Sequence, residues 1–148
     1  MDLVHNKAEY PPMHTAEHIL NATMVRLFGC HRSHNAHIER KKSKCDYFLP
    51  REPTVKELDE VERIVNEVIA KNLPVTVDFV SATEAATLVD LSKLPDGVGQ
   101  GQVRLVRIGD YDVCACIGSH VTRTGEIGQF RLLNCDYAEG RFRLRFKV

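Results

Sequence analysis

The sequence predicts an α+β fold, an antiparallel sheet packed by helices on one face as a two-layer sandwich, and three observations predict it. Two stretches in the first half carry apolar residues at helical spacing. The last third breaks into short segments in which apolar and polar residues alternate, and turns containing Gly or Asp separate those segments. With 148 residues, 43% of them hydrophobic and 27% charged, the chain suits one domain, 1–148, with a packed core.

The elements follow in order. Ile19, Leu20, Met24, Val25, Leu27 and Phe28 recur with helical spacing, so a helix is expected from about His14 to Phe28, after Pro11 and Pro12 and before Gly29. The mixed stretch from Cys30 to Pro50 fits two strands around a basic turn at Arg40 to Lys44. Thr54 with Glu57 reads as a capping box, and Val55, Leu58, Val61, Val65, Val68 and Ile69 mark one face of a helix ending near Asn72 and Pro74. Val75, Val77 and Phe79 alternate as a half-buried strand. Ser81 with Glu84 opens a short helix to about Leu88, and a flexible loop is expected from Leu94 to Gln102. "VRLVRI", "YDVCACI", "QFRLLN" and "RFRLRFKV" complete the strands.

Composition narrows the function. Twenty Lys and Arg balance twenty Asp and Glu, so steering of the whole molecule toward a polyanion is not expected and any nucleic-acid contact needs a local patch. No apolar run approaches the roughly 20 residues that span a bilayer, so no membrane role is expected. Cys30, Cys45, Cys114, Cys116 and Cys135 are odd in number, and the first residues lack the apolar core of a secretion signal. Both features point to free thiols and the cytoplasm.

Two spacings carry chemistry. In a helix His14 and His18 lie one above the other and can present their imidazoles to one point; read alone, they are equally a pair on a partly exposed helix face. Cys116 and His120 are also four apart, on a strand that runs into a glycine-punctuated loop, where a buried thiol beside a loop histidine is the plainer alternative. Taken together, one thiolate and three imidazoles match tetrahedral Zn²⁺, although nickel or cobalt suits the same donors.

The motif HxxxH near the start, then about a hundred residues later CxxxH followed by Val121-Thr122-Arg123-Thr124-Gly125-Glu126-Ile127-Gly128, resembles the second additional domain of alanyl- and threonyl-tRNA synthetases. With no aminoacylation module in view, the chain is similar to the free-standing, AlaX-like alanyl-tRNA editing proteins. It departs from them in two places. Cys116-Ile117-Gly118-Ser119-His120 stands where the alanyl enzymes show C-G-G-T-H, and "GCHRSHNAH" lacks their glutamine and Gly-Ser pair. The resemblance implies zinc held by His14, His18, Cys116 and His120 and hydrolysis of the ester joining an amino acid to the 3′ adenosine of a mischarged tRNA. The expected substrate is Ser-tRNA(Ala), followed by Gly-tRNA(Ala), taken by its acceptor end with no obligatory protein partner. Because a catalytic zinc needs an open position, His120 is expected to be the looser ligand. Thr15 would recognise the hydroxyl of misplaced serine, or else it simply bonds back to its own helix.

Other residues are less specific. His14-Thr15-Ala16-Glu17-His18 also satisfies the HxxEH pattern of a metallopeptidase with Glu17 as general base; otherwise Glu17 is a solvated helix residue. A third reading is a zinc-stabilised domain that binds RNA or protein without catalysis. Gly118, Gly125 and Gly128 let the backbone approach a substrate or turn, and Glu126 would orient that loop. Arg141, Arg143 and Arg145 share one strand face and, with Lys41, Lys42 and Lys44, form candidate tRNA patches. His31, His34 and His37 are read as surface histidines.

Overall fold

The computed structural model describes residues 10–90 and 101–148. Helix α1, Pro11–Phe28, begins earlier than expected, with both prolines in its first turn. The amide hydrogens that proline lacks would find no acceptor there, so the first turn tolerates both rings. It ends at Gly29, whose φ of 66° is left-handed and whose N–H returns to Val25 O. Met13, Ala16, Ile19, Leu20 and Met24 are buried along it.

Strands β1 (Asn35–His37) and β2 (Ser43–Phe48) flank the basic turn, and β2 lays Cys45 and Tyr47 into the core. Helix α2, Val55–Ala70, opens on the expected capping box: the Thr54 hydroxyl accepts from Glu57 N and the Glu57 carboxylate accepts from Thr54 N. Strand β3 (Val75–Ser81) leads into the short helix α3 (Ala82–Ala86), capped by Ser81, and β4 (Gln102–Ile108) and β5 (Asp112–Ala115) follow. A 3-10 turn, Thr124–Ile127, precedes β6 (Arg131–Ala138) and β7 (Arg141–Lys147). Apart from Gly101 and Gln102, the glycine-rich loop falls outside the described residues.

The fold is α+β and antiparallel as expected, and its strands divide into two sheets, ordered β1-β2-β7-β6 and β3-β4-β5. The main core lies between α1, α2 and the four-stranded sheet, where Tyr47, Phe130, Phe142 and Phe146 are fully buried. Each such ring contributes roughly 1.5–3 kcal/mol of burial. A smaller cluster of Ala85, Val103 and Leu105 sits under α3.

The alternation in β3 buries its residues only in part: Val75 packs against the main core, but Val77 and Phe79 are 42% and 61% exposed. The reason is position. β3 is an edge strand of the three-stranded sheet, whereas α1 packs against β5 at the opposite edge.

The 3-10 turn fixes the loop that precedes it. The Thr124 hydroxyl donates toward the Val68 and Ile69 carbonyls at the end of α2 and accepts from Leu73 N. Free carbonyls at a helix end are thereby satisfied, and the chain leaving β5 is tied to the end of α2.

Candidate metal centre

His14 and His18 stand one turn apart near the start of α1, their ring centroids 5.0 Å apart and nearly perpendicular. Cys116 lies one residue beyond β5, 102 positions later, and the loop Ile117-Gly118-Ser119 brings His120 back against the helix. The His120 ring stacks on His14 at 4.2 Å and meets His18 edge-on at 4.5 Å. Cys116 Sγ is 3.5 Å from His14 Nε2 and 3.5 Å from His120 Nε2, and one donor atom from each of the four residues lies within 4.8 Å of the others. Among the described residues no other His, Cys, Asp and Glu group converges this way.

That spacing suits a tetrahedral ion. Bonds of 2.0–2.3 Å imply edges of roughly 3.3–3.8 Å between donors, which the two sulfur–nitrogen separations meet. The donor set, one soft thiolate with three imidazoles, is chemically suited to zinc as well.

Local structure aims each donor. The Ser119 carbonyl, which can only accept, lies 3.2 Å from His14 Nδ1, so Nδ1 carries the proton and Nε2 keeps its lone pair toward Cys116. At His120, Nδ1 sits 2.9 Å from Thr15 Oγ1, which accepts from Val121 N; a His120 ring protonated at Nδ1 donates to that oxygen and leaves Nε2 free. The Gly118 backbone passes so close to His14 that a Cβ there would lie 2.4 Å from the ring. Arg104 Nη1 donates to both the Cys116 and Gly118 carbonyls and so clamps the loop. Nothing in the sequence marks Arg104 for this role, because a clamp on main-chain carbonyls leaves no spacing signal.

His18 is the most enclosed donor. Its Nδ1 is buried without a hydrogen bond and lies 3.8 Å from Asp112, which Arg32 holds through two contacts of 2.7 and 3.2 Å. Burial, then the charges of His120, His14 and Arg32, hold its pKa well below the ordinary histidine value. Burial, His14 and Arg104 push His120 down to about 3. Burial also pulls on His14, but the Cys116 hydrogen bond and charge, with Glu17 and the Ser119 carbonyl, outweigh it and raise its pKa. Two of the three imidazoles are thus held neutral, the form that ligates a metal.

Several expected roles change. Thr15 is fully buried, with its hydroxyl in contact with His120 Nδ1 and accepting from Val121 N. Glu17 is not solvated: its side chain is 12% exposed and burial raises its pKa. Gly125 N donates to Asn72 Oδ1, a Cβ on Gly125 would lie 2.5 Å from that oxygen, and Glu126 accepts from the Thr122 hydroxyl. These two residues therefore secure the turn beside α2. Gly128, at φ 92°, closes the same turn.

The arginine face of β7 is largely neutralised. Arg143 pairs with Asp46 through bonds of 2.7 and 2.9 Å, and Arg141 and Arg145 both reach Asp136. Strand register explains this, since Arg143 stands directly opposite Asp46 on one side and Asp136 on the other. Lys41 and Lys42 are exposed in the turn after β1, and Lys44 is half-buried on β2. His31, His34 and His37 form no cluster: His34 stacks on Phe48 at 3.8 Å and His37 pairs with Glu39.

Comparison with known proteins agrees with the motifs. Residues 103–144 match the family model of the threonyl and alanyl tRNA synthetase second additional domain. The alanine–tRNA ligase of Methanococcus vannielii is 32% identical over 133 residues, 88% of this chain and 15% of the relative. That of Methanopyrus kandleri is 33% identical over 136 residues, 90% and 15% respectively. The Bacillus subtilis ligase is 32% identical over 122 residues, 82% and 14%. The chain thus resembles this additional domain and spans about 15% of the length of these relatives.

Proposed function

We propose that this chain is a zinc-dependent hydrolase that deacylates mischarged tRNA(Ala), acting first on Ser-tRNA(Ala) and second on Gly-tRNA(Ala). The observation that carries the reading is the convergence of His14, His18, Cys116 and His120, within a chain that aligns over most of its length with alanine–tRNA ligases. Water adds to the acyl carbon, the bond to the terminal ribose oxygen breaks, and free amino acid and tRNA leave.

His14, His18, Cys116 and His120 would hold the zinc. A bound zinc supplies Lewis acidity, by which an ester carbonyl is polarised or the pKa of a water falls toward about 7. The chain's own contribution is placement. Ser119 fixes the tautomer of His14, Thr15 holds the His120 ring, Arg104 fixes the loop, and Gly118 allows the loop to touch His14. His120 enters from a loop, whereas His14 and His18 share one helix, so His120 is the ligand best able to loosen and open a position. Exposed Lys41 and Lys42 remain candidates for phosphate contact, and Arg141, Arg143 and Arg145 are weaker ones because carboxylates already engage them. The peptidase reading is less well supported, because Cys116 and His120 already complete the donor set around His14 and His18.

The test is deacylation of Ser-, Gly-, Thr- and Ala-tRNA by the zinc-loaded chain, with and without chelator. Zinc-dependent loss of the Ser ester with the Ala ester spared is expected. Survival of Ser-, Gly- and Thr-tRNA alike while zinc is bound would sink the proposal and leave a metal-stabilised binding domain in its place.

A further inference from the structure

Glu17 sits at the edge of the donor cluster. Its Oε1 lies 3.8 Å from His18 Nε2 and 4.0 Å from His14 Nε2. Its other oxygen is anchored: Asn21 Nδ2 donates to Oε2 at 2.6 Å, and Asn21 Oδ1 accepts from Tyr47 OH at 2.7 Å and from Ser33 N at 3.0 Å. Asn21 and Tyr47 are buried, so the carboxylate is held by a built network and not by a mobile side chain.

Oε1 takes no hydrogen bond from the described residues, and no Lys or Arg nitrogen among them lies within 4 Å of the carboxylate. Arg32, whose charge reaches Glu17, is itself held bidentately by Asp112. A nearly buried carboxylate with a free oxygen and, among the described residues, no Lys or Arg nitrogen within 4 Å is unfavourable until a positive group completes it. The ester proposed above carries such a group. In an α-amino ester the amine nitrogen and the carbonyl oxygen are about 3 Å apart, so a carbonyl seated at the cluster brings its ammonium within reach of a carboxylate at the cluster's rim.

We propose, resting on the editing reading, that Glu17 Oε1 receives the α-ammonium of the aminoacyl group and makes the site specific for esters of α-amino acids. Glu17 is then a substrate-binding residue, and no proton transfer is assigned to it. Removing the amine from the substrate leaves the carboxylate unpaired, which is how a polar site rejects an analogue lacking its partner.

The probes are two uncleavable amides of 3′-amino-3′-deoxyadenosine, one bearing L-serine and the other 3-hydroxypropionate, which keeps the hydroxyl and lacks the amine. Affinities are measured by calorimetry on the zinc-loaded full chain, with zinc content determined for every variant. The wild type should prefer the seryl amide by about tenfold or more, and Glu17→Gln should reduce that preference to within about threefold with zinc retained. A preference that survives Glu17→Gln overturns the inference, because the amine is then met elsewhere; so does loss of zinc, which would put Glu17 in the metal shell. In both cases binding of the seryl amide by the wild type leaves the editing reading standing. If the wild type binds neither amide, the editing reading fails and the inference fails with it. Should Glu17→Gln not fold, Glu17→Asp decides: a charge withdrawn by one methylene should weaken the preference, and an unchanged preference overturns the inference.

Discussion

The donor cluster and the arginine face of β7 were drawn from the same kind of signal, functional residues at regular spacing, and the fold treats them oppositely. At the cluster, His14 and His18 meet Cys116 and His120, and among the described residues the donor atoms of all four converge. On β7, the register sets Asp46 and Asp136 beside Arg143, and the positive face is occupied by internal ion pairs. Spacing within an element tells where side chains point. Whether they are available depends on what the neighbouring strand or helix brings opposite them.

The contrast can be broken by substitution, and the largest effect belongs to the cluster. Cys116→Ala removes the only sulfur donor there and should weaken zinc binding by more than about 100-fold, read by competition with a chromophoric chelator. Gly118→Ala comes next. The new methyl would push on the His14 ring, and a loss of about 10- to 100-fold in zinc affinity is expected with folding largely intact by circular dichroism.

The arginine face should respond in stability instead. Arg143→Ala leaves Asp46, 3% exposed, without its bidentate partner and should lower the melting temperature measurably. Its affinity for tRNA should change by less than about twofold, whereas a large loss with an altered salt slope would show that this face meets phosphate. The smallest effect lies at the start of α2. Arg51 and the Thr54 amide hold Glu57 down to about 2 from an ordinary 4.5, so its ionised form favours the folded state. That contribution is complete above about pH 4.5 and is lost as pH falls toward 2. The melting-temperature gap between wild type and Glu57→Gln should therefore shrink between pH 6 and pH 3.

Much of the fold was legible because local signals act locally. The capping box at Thr54, the Gly29 stop and the Ser81 cap depend on residues within one turn, and all three form. What the sequence did not carry is partnership between distant segments. Val77 and Phe79 alternate as a half-buried strand should, yet β3 is a sheet edge and both stay exposed. The candidate donors were legible as two spaced pairs, but Thr15 reads as a free hydroxyl until His120 arrives from 105 residues away. Glu17 reads as solvated until Asn21, Tyr47 and Ser33 close around it. Arg104 gave no signal, since its acceptors are main-chain carbonyls in the loop that follows β5.

The most direct measurement of the central claim is X-ray absorption at the zinc edge of the zinc-loaded chain. One sulfur at about 2.3 Å with nitrogen neighbours at about 2.0–2.1 Å is the result this geometry predicts. A shell without sulfur, or with two sulfurs, would contradict the assignment of Cys116 and the three histidines.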